Sequence, residues 1–102
     1  KSLGGEGGPK PGEGPSKEER ENGFYDVMFI GEATNGDTLA VSVTGDKDPG
    51  YGSTSKMISE SALCLCKDVS LSGGFFTPAS ALGDKLISRL TEKAGLTFNI
   101  EK

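Results

Sequence analysis

The chain has 102 residues, of which 33% are hydrophobic, and a formal net charge of −4. This length suits one small domain with a modest core. No basic face is concentrated anywhere, which argues against nucleic acid as the partner. No apolar run approaches the ~20 residues that a membrane helix needs. Histidine is absent, so imidazole catalysis and histidine metal ligands are excluded for this chain.

The two cysteines, Cys64 and Cys66, are two positions apart in a helical pattern. They therefore point to nearly opposite sides and cannot readily form a disulfide, as expected for small buried residues of a reducing compartment. No signal peptide is visible at the N-terminus, so we predict a cytoplasmic protein. Because the chain begins with Lys1 rather than Met, we also expect a fragment or a processed form.

The first segment, residues 1–22, is rich in glycine and proline and shows no apolar periodicity. Such a composition cannot bury enough surface to order itself, so we predict a flexible segment with disorder over residues 1–10 and order beginning before Phe24. Ser16, followed three residues later by Glu19, fits a capping box for one helical turn. A solvated linker is the favoured interpretation of this part.

Residues 24–45 carry the pattern of an antiparallel β-hairpin. Apolar residues alternate in the second half, where Leu39, Val41 and Val43 share one side. Asn35-Gly36 stands between the two halves and is a strong signal for a hairpin turn. Apolar residues fall on both faces of the first half, which indicates that both faces are partly covered.

Two helical patterns follow the hairpin. The first begins near Asp48 or Ser53 and ends at about Lys67. The second begins with Thr77 as cap and Pro78 at the first helical position. Its apolar stripe consists of Ala79, Leu82, Leu86, Ile87, Leu90 and Ala94. We predict that Leu86, Ile87 and Leu90 of this stripe pack on the sheet face that carries Leu39, Val41 and Val43.

Between the helices, residues 74–77 fit a short extended piece. Gly83 is a weak point in the second helix, and Gly95 sits where a helix C-terminal glycine belongs. Leu96, Phe98 and Ile100 then alternate as a last strand. The pattern predicts an α+β fold, in which two helices cover one face of a small, mostly antiparallel sheet. Residues 23–102 would form this domain.

Residues 44–57 form the stretch at which the β-pattern ends and the helical pattern begins. Asp48 with Pro49, or Ser53 after Gly50 and Gly52, can start the helix there. Either start would direct backbone N–H groups toward an anion or a carbonyl oxygen, with the ring and hydroxyl of Tyr51 beside them. The structural alternative is that Asp48 only caps the helix and Tyr51 only packs.

No recognised catalytic motif is present. The glycines before Lys56 lack the spacing of a phosphate-binding loop. Asp46 and Asp48 have no histidine or third acid at a suitable spacing, so a solvated, capped turn explains them better than a catalytic pair. The cysteines lack the further ligands that a metal site needs.

Four blocks of the chain resemble, in order and spacing, the C-terminal region of saccharopine dehydrogenase-like oxidoreductases, a group that includes the bacterial trans-acting enoyl reductases. The blocks are residues 11–16 with Arg20, residues 45–57, residues 73–81, and residues 86–90 with residues 95–98. The resemblance implies a two-domain NAD(P)-dependent oxidoreductase whose N-terminal Rossmann domain is missing here. This chain would belong to the second domain, which shapes the substrate cleft and often the oligomer contact.

We also predict which residues line the substrate-facing end of the domain in the full enzyme. Asp48, Pro49, Gly50 and Tyr51, with Thr77 and Pro78 nearby, are candidates because two helix starts with proline present backbone donors that suit a carbonyl or carboxylate. Ser16 and Arg20 are further candidates. No catalytic residue, metal ligand or cofactor ligand is implied within the chain, so we expect it to be inactive alone. NAD or NADP would bind the full-length protein, where the Rossmann domain is the expected partner and a homodimer is left open. The alternative is a non-catalytic assembly or protein-interaction domain.

Overall fold

The computed structural model describes residue 8 and residues 10–101. The elements in chain order are α1 (Lys17–Asn22), β1 (Tyr25–Glu32), β2 (Thr38–Gly45), α2 (Gly52–Lys67), α3 (Pro78–Lys93) and β3 (Leu96–Glu101). The strands form one antiparallel sheet in the order β1-β2-β3, which confirms the predicted α+β class. The disorder predicted for residues 1–10 concerns residues that lie almost wholly outside the described part.

The hairpin is confirmed, and β1 pairs with β2 along its full length. In its turn, the Gly36 N–H donates to the Ala33 carbonyl at 2.9 Å, and the Ala33 N–H donates to the Asp37 carbonyl at 2.8 Å. Gly36 has a φ of 89°, whereas no described residue other than glycine has a positive φ. The turn is therefore a three-residue loop with glycine in the left-handed position, rather than a two-residue turn that needs a positive φ at Asn35 as well.

The core lies where the two long helices meet one end of the sheet. Leu90, Ala94 and Leu96 are buried there. The partly buried side chains packed against them are Val43, Met57, Leu86 and Phe98. The predicted packing of Leu86 and Leu90 near Val43 is thus confirmed.

The other half of that packing prediction is wrong. Ile87 is 43% exposed and Leu39 is 53% exposed. The helices cover the apolar sheet face only near Gly45 and Leu96, so the strand residues beyond Val43 have no helix over them. On that face the row formed by Phe29, Val41 and Ile100 is next beyond the core, and Phe29 and Ile100 are exposed.

The N-terminal segment contains an element that its composition does not predict strongly. Residues 17–22 form α1, and the Ser16–Glu19 capping box is present in both directions. α1 contacts α2, and the Asp48 N–H donates to the Arg20 carbonyl at 3.1 Å. Residues 1–22 were predicted to be flexible, but contact with the turn at Asp48 holds the end of this segment in place.

The long helices follow the predicted bounds closely. Gly83, with φ 49° and ψ −136°, interrupts α3 at the predicted weak point. Arg89 of α3 donates to Glu60 and Asp68 at 3.0 Å each and so joins α3 to the C-terminal part of α2. Residues 74–77 are not a strand.

The cysteines differ from each other in exposure. Cys64 is buried, as predicted, whereas Cys66 is exposed. Burial is the main cause that raises the pKa of the Cys64 thiol, and the Asp68 carboxylate adds to it.

None of the helices in the described ranges is long and apolar enough to cross a membrane.

The core assignment predicts unequal costs for two neighbouring α3 residues. Leu90→Ala should lower the free energy of unfolding by about 2–5 kcal/mol, because it removes a buried side chain from the centre of the cluster. Ile87→Ala should cost less than half as much, since Ile87 is 43% exposed and lies outside the core cluster. Urea denaturation of both variants measures the difference, and equal losses would contradict this location of the core.

Candidate functional site

The turn between β2 and α2 is built around the carboxylate of Asp48. Oδ1 accepts from the Gly50 N–H at 3.0 Å. Oδ2 accepts from the N–H groups of Tyr51 and Gly52, each at 2.8 Å. The Asp48 carbonyl accepts from the Ser53 N–H at 2.7 Å. Asp48 therefore satisfies the N–H groups that lead into α2.

This arrangement corrects one sequence-based expectation. The prediction held that N–H groups at the start of α2 point toward a ligand, but those of residues 50–53 are occupied by Asp48. Hydrogen bonds from these N–H groups, that from Gly52 first, hold the pKa of Asp48 below its ordinary value of 3.8. A negative charge already occupies the position that an anionic ligand would take.

Gly52 lets α1 approach the start of α2 closely. A Cβ atom on Gly52 would lie 2.7 Å from the Arg20 carbonyl oxygen, and Gly23 has no room for one beside the Asp48 backbone. Another contact fixes the same end of α2, because the Tyr25 hydroxyl and the fully buried Ser53 hydroxyl are 2.7 Å apart. The start of α2 is thus held by both α1 and β1.

A cavity of about 320 Å³ lies between residues 12–15, α1 and the start of α2. Its polar side chains are those of Arg20, Tyr51, Ser55 and Glu13. Tyr51 is 59% exposed. Arg20 uses one nitrogen, Nη1, to donate to the Pro15 carbonyl at 2.8 Å. Its other guanidinium nitrogens have no partner within the described residues, so they are available to a ligand oxygen.

The remaining candidates occupy other positions. Ser16 caps α1 and does not line this cavity. Pro49 contributes its carbonyl to the Thr54 hydroxyl rather than a surface of the cavity. Thr77 caps α3 in a capping box with Ser80, and with Pro78 it lines a second concave surface. α2 begins at Gly52, so Pro49 precedes that helix, and Tyr51 and Thr77 line different concave surfaces.

The second concave surface is an apolar groove of about 590 Å³ between α2, the following loop and the start of α3. Its larger apolar side chains are Ile58, Leu65, Leu71, Phe76 and Leu82. The cavity and the groove share no lining residue. They are nevertheless neighbours along α2, because Ser55 of the cavity and Ile58 of the groove are three residues apart and so adjacent on the helix surface.

Sequence reasoning missed Ser55, the loop at residues 12–14 and the apolar groove. Ser55 could have been found from its position four residues after Tyr51, which places both on one side of a helix. The loop lies within the block of residues 11–16, but its place beside Tyr51, like the groove, depends on contacts between distant segments and leaves no local signal. No group of three or more acidic or cysteine side chains in the described ranges could hold a metal ion.

The chain is similar to part of several mycobacterial proteins. It is 41% identical over 85 residues to the "Putative trans-acting enoyl reductase Rv2449c" of Mycobacterium tuberculosis, covering 80% of this chain and 20% of that protein. It is 38% identical over 87 residues to the trans-acting enoyl reductase of Mycobacterium ulcerans and 35% identical over 85 residues to that of Mycobacterium bovis. These two matches cover 82% and 80% of this chain, and 21% and 20% of the relatives. No family model and no solved structure matches the chain.

The chain spans about a fifth of the length of these curated relatives. The similarity agrees with the enoyl reductase resemblance of the sequence blocks. The wider saccharopine dehydrogenase-like grouping stays a prediction.

The Asp48 cap predicts a specific acid dependence of stability. Because the folded pKa of Asp48 lies below the unfolded value, its stabilising effect is present above about pH 4 and is lost as the pH falls further. Asp48→Asn should lower the melting temperature at pH 7 and reduce the further loss between pH 5 and pH 2. Thermal unfolding followed by circular dichroism across this range measures both effects.

The control is Asp26→Asn, which changes an exposed carboxylate with no partner in the described part of the chain. It should keep the acid dependence of the unaltered protein. An Asp48→Asn variant with the same pH profile as Asp26→Asn would show that the cap does not govern stability in acid.

Proposed function

We propose that the chain is the substrate-side part of an NAD(P)-dependent enoyl reductase of the saccharopine dehydrogenase-like type, and that it is not catalytic alone. The observation that carries this proposal is the 35–41% identity to trans-acting enoyl reductases over about 80% of the chain. A cytoplasmic location and a bacterial source belong to the same proposal. The activity itself would need the four fifths of such a protein that this chain does not match.

The start of α2 is poorly suited to a dinucleotide. A pyrophosphate needs free N–H groups at a helix start after a strand and a glycine loop. The start of α2 follows β2 and contains two glycines, but Asp48 takes the N–H groups of residues 50–52 and adds a negative charge. We therefore assign NAD or NADP binding, which supplies the hydride in this class of reduction, to the Rossmann domain of the longer protein.

The polar cavity suits the oxygen-bearing end of an acyl substrate. Arg20 and Tyr51 place a guanidinium and a hydroxyl on its wall, and both can donate to a carbonyl oxygen. The adjacent groove suits the hydrocarbon end, because its lining is mainly apolar. A polar cavity followed along α2 by an apolar groove supports a ligand with a polar head and an apolar chain, such as an unsaturated acyl group.

The alternative is an assembly module without a role in substrate binding. The two functions differ in what a chimera should do. We would replace the 85 matched residues of an active trans-acting enoyl reductase with the corresponding residues of this chain. An active chimera is expected for both functions, because in both cases this chain folds like the part that it replaces. Substitutions in the cavity must therefore decide between the two functions.

In this chimera, Tyr51→Phe should lower the specific activity with an enoyl thioester about tenfold, the size of a lost hydrogen bond to substrate, while the melting temperature stays nearly unchanged. The assay is NADPH oxidation in the presence of a crotonyl thioester. Full activity in Tyr51→Phe would favour the assembly module.

The matched control is Tyr25→Phe, which removes the hydroxyl bonded to the buried Ser53. It should cost about 1–3 kcal/mol of stability, because Ser53 is left without this partner. Its activity below the melting transition should stay close to that of the chimera. Comparison of Tyr51→Phe with Tyr25→Phe thus distinguishes the loss of a substrate contact from the loss of a structural contact.

The isolated chain is predicted not to bind NADPH tightly, because Asp48 occupies the only helix start in the described residues that follows a strand and a glycine-containing turn. Calorimetric titration of the chain with NADPH tests this directly. A dissociation constant in the low micromolar range would contradict the assignment of the cofactor to another domain.

A further inference from the structure

The outer edge of β1 is open in the described part of the chain. β2 is its only strand neighbour, and no further backbone hydrogen bond reaches residues 25–32 from outside the sheet. An edge strand with unpaired N–H and C=O groups is a template for another strand. Eight residues of such edge are available, and the ladder with β2 contains no bulge that would twist it away.

The side chains of β1 give the middle of this edge little protection. Natural edge strands are protected by charged side chains, lysine above all, or by proline, but β1 contains no lysine or proline, and its two charged residues, Asp26 and Glu32, stand near its ends. Four consecutive apolar residues, Val27, Met28, Phe29 and Ile30, are between 43% and 72% exposed. Both faces of the strand are therefore apolar next to an open edge, so a paired strand would bury surface on both sides.

Charge limits which strand can pair there. Asp26 and Glu32 lie on one face of β1, six residues apart, and neither forms an ion pair within the described residues. The three strands contain no lysine or arginine. A strand that places basic side chains opposite Asp26 and Glu32 would gain two opposite-charge pairs across the edge.

A second copy of this chain fits less well. Two β1 strands related by a two-fold axis normal to the sheet pair antiparallel, with residues of the same face opposed. In the two registers of greatest overlap, Asp26 of one copy lies either directly opposite or diagonal to Glu32 of the other. Like charges at these positions destabilise a strand pair.

We propose that the free edge of β1 is a strand-addition site for an extended polypeptide segment of a partner that carries basic side chains opposite Asp26 and Glu32 and apolar side chains between them. Backbone hydrogen bonds supply the affinity of such a site, and side chains supply its selectivity. The site does not depend on the proposed function, because it involves neither the cavity nor the groove along α2.

The test uses two synthetic probes, the peptide Lys-Val-Thr-Val-Thr-Val-Lys and its counterpart with glutamate at both ends. The lysines are six positions apart, which matches the spacing of Asp26 and Glu32. At low salt the lysine peptide should bind the purified chain about tenfold more tightly than the glutamate peptide, because two charge pairs change sign. Fluorescence anisotropy measures the affinities, and NMR shift changes should concentrate on residues 25–32.

Two double variants separate local charge from the overall acidity of the protein. Asp26→Asn with Glu32→Gln should abolish the preference for the lysine peptide. Asp84→Asn with Glu92→Gln, on α3, removes the same number of exposed charges and should leave the preference unchanged. Failure of both peptides to bind, equal affinities, shift changes away from β1, or a dimer through β1 in sedimentation equilibrium would each overturn the proposal.

Discussion

The described structure depends above all on the carboxylate of Asp48. This side chain gathers three backbone N–H groups from residues 50–52, while its own backbone N–H is bonded to the Arg20 carbonyl. One residue thus joins α1, the turn after β2 and the start of α2. A charged acceptor is well suited to this role, because it accepts from the first N–H group of the helix and from two N–H groups just before it, and its charge complements the helix dipole. The cavity beside Tyr51 exists because this junction holds α1 against α2.

The same junction explains why the local sequence could predict the turn but not whether its N–H groups are capped or free to bind a ligand. Asp48-Pro49 followed by glycines is compatible with a helix start that caps itself and with one that offers its N–H groups to a ligand. The choice depends on a side-chain rotamer and on the approach of α1, and neither has a periodic signal. α1 itself has a capping box that the sequence shows, but its contacts with Asp48 and with α2 join segments that are distant in the sequence.

The elements with strong periodicity were predicted correctly for a simple reason. The stripe of α3 and the alternation of β2 are properties of neighbouring residues, so they survive without knowledge of the tertiary structure. The extent of burial is not such a property. Leu39 and Ile87 continue their patterns, yet they are 53% and 43% exposed because the helices cross only one end of the sheet. The assignment of Tyr51 and Thr77 to different concave surfaces could not be predicted either. It depends on which part of the 16-residue helix α2 the start of α3 packs against.

The distribution of apolar surface suits the two ends of this fold to the two different roles proposed for them. At the helix end, the core, the Arg89 ion pairs with Glu60 and Asp68, and the Asp48 junction fix the walls of the polar cavity and the apolar groove. At the hairpin end, Phe29 and Ile30 are exposed on opposite faces of an open edge strand. A ligand site needs fixed walls, whereas strand addition needs unpaired backbone groups and uncovered side chains. Because these demands fall on separate parts of the sheet and helices, the proposed ligand binding at α2 and the proposed polypeptide binding at β1 would not compete for one surface.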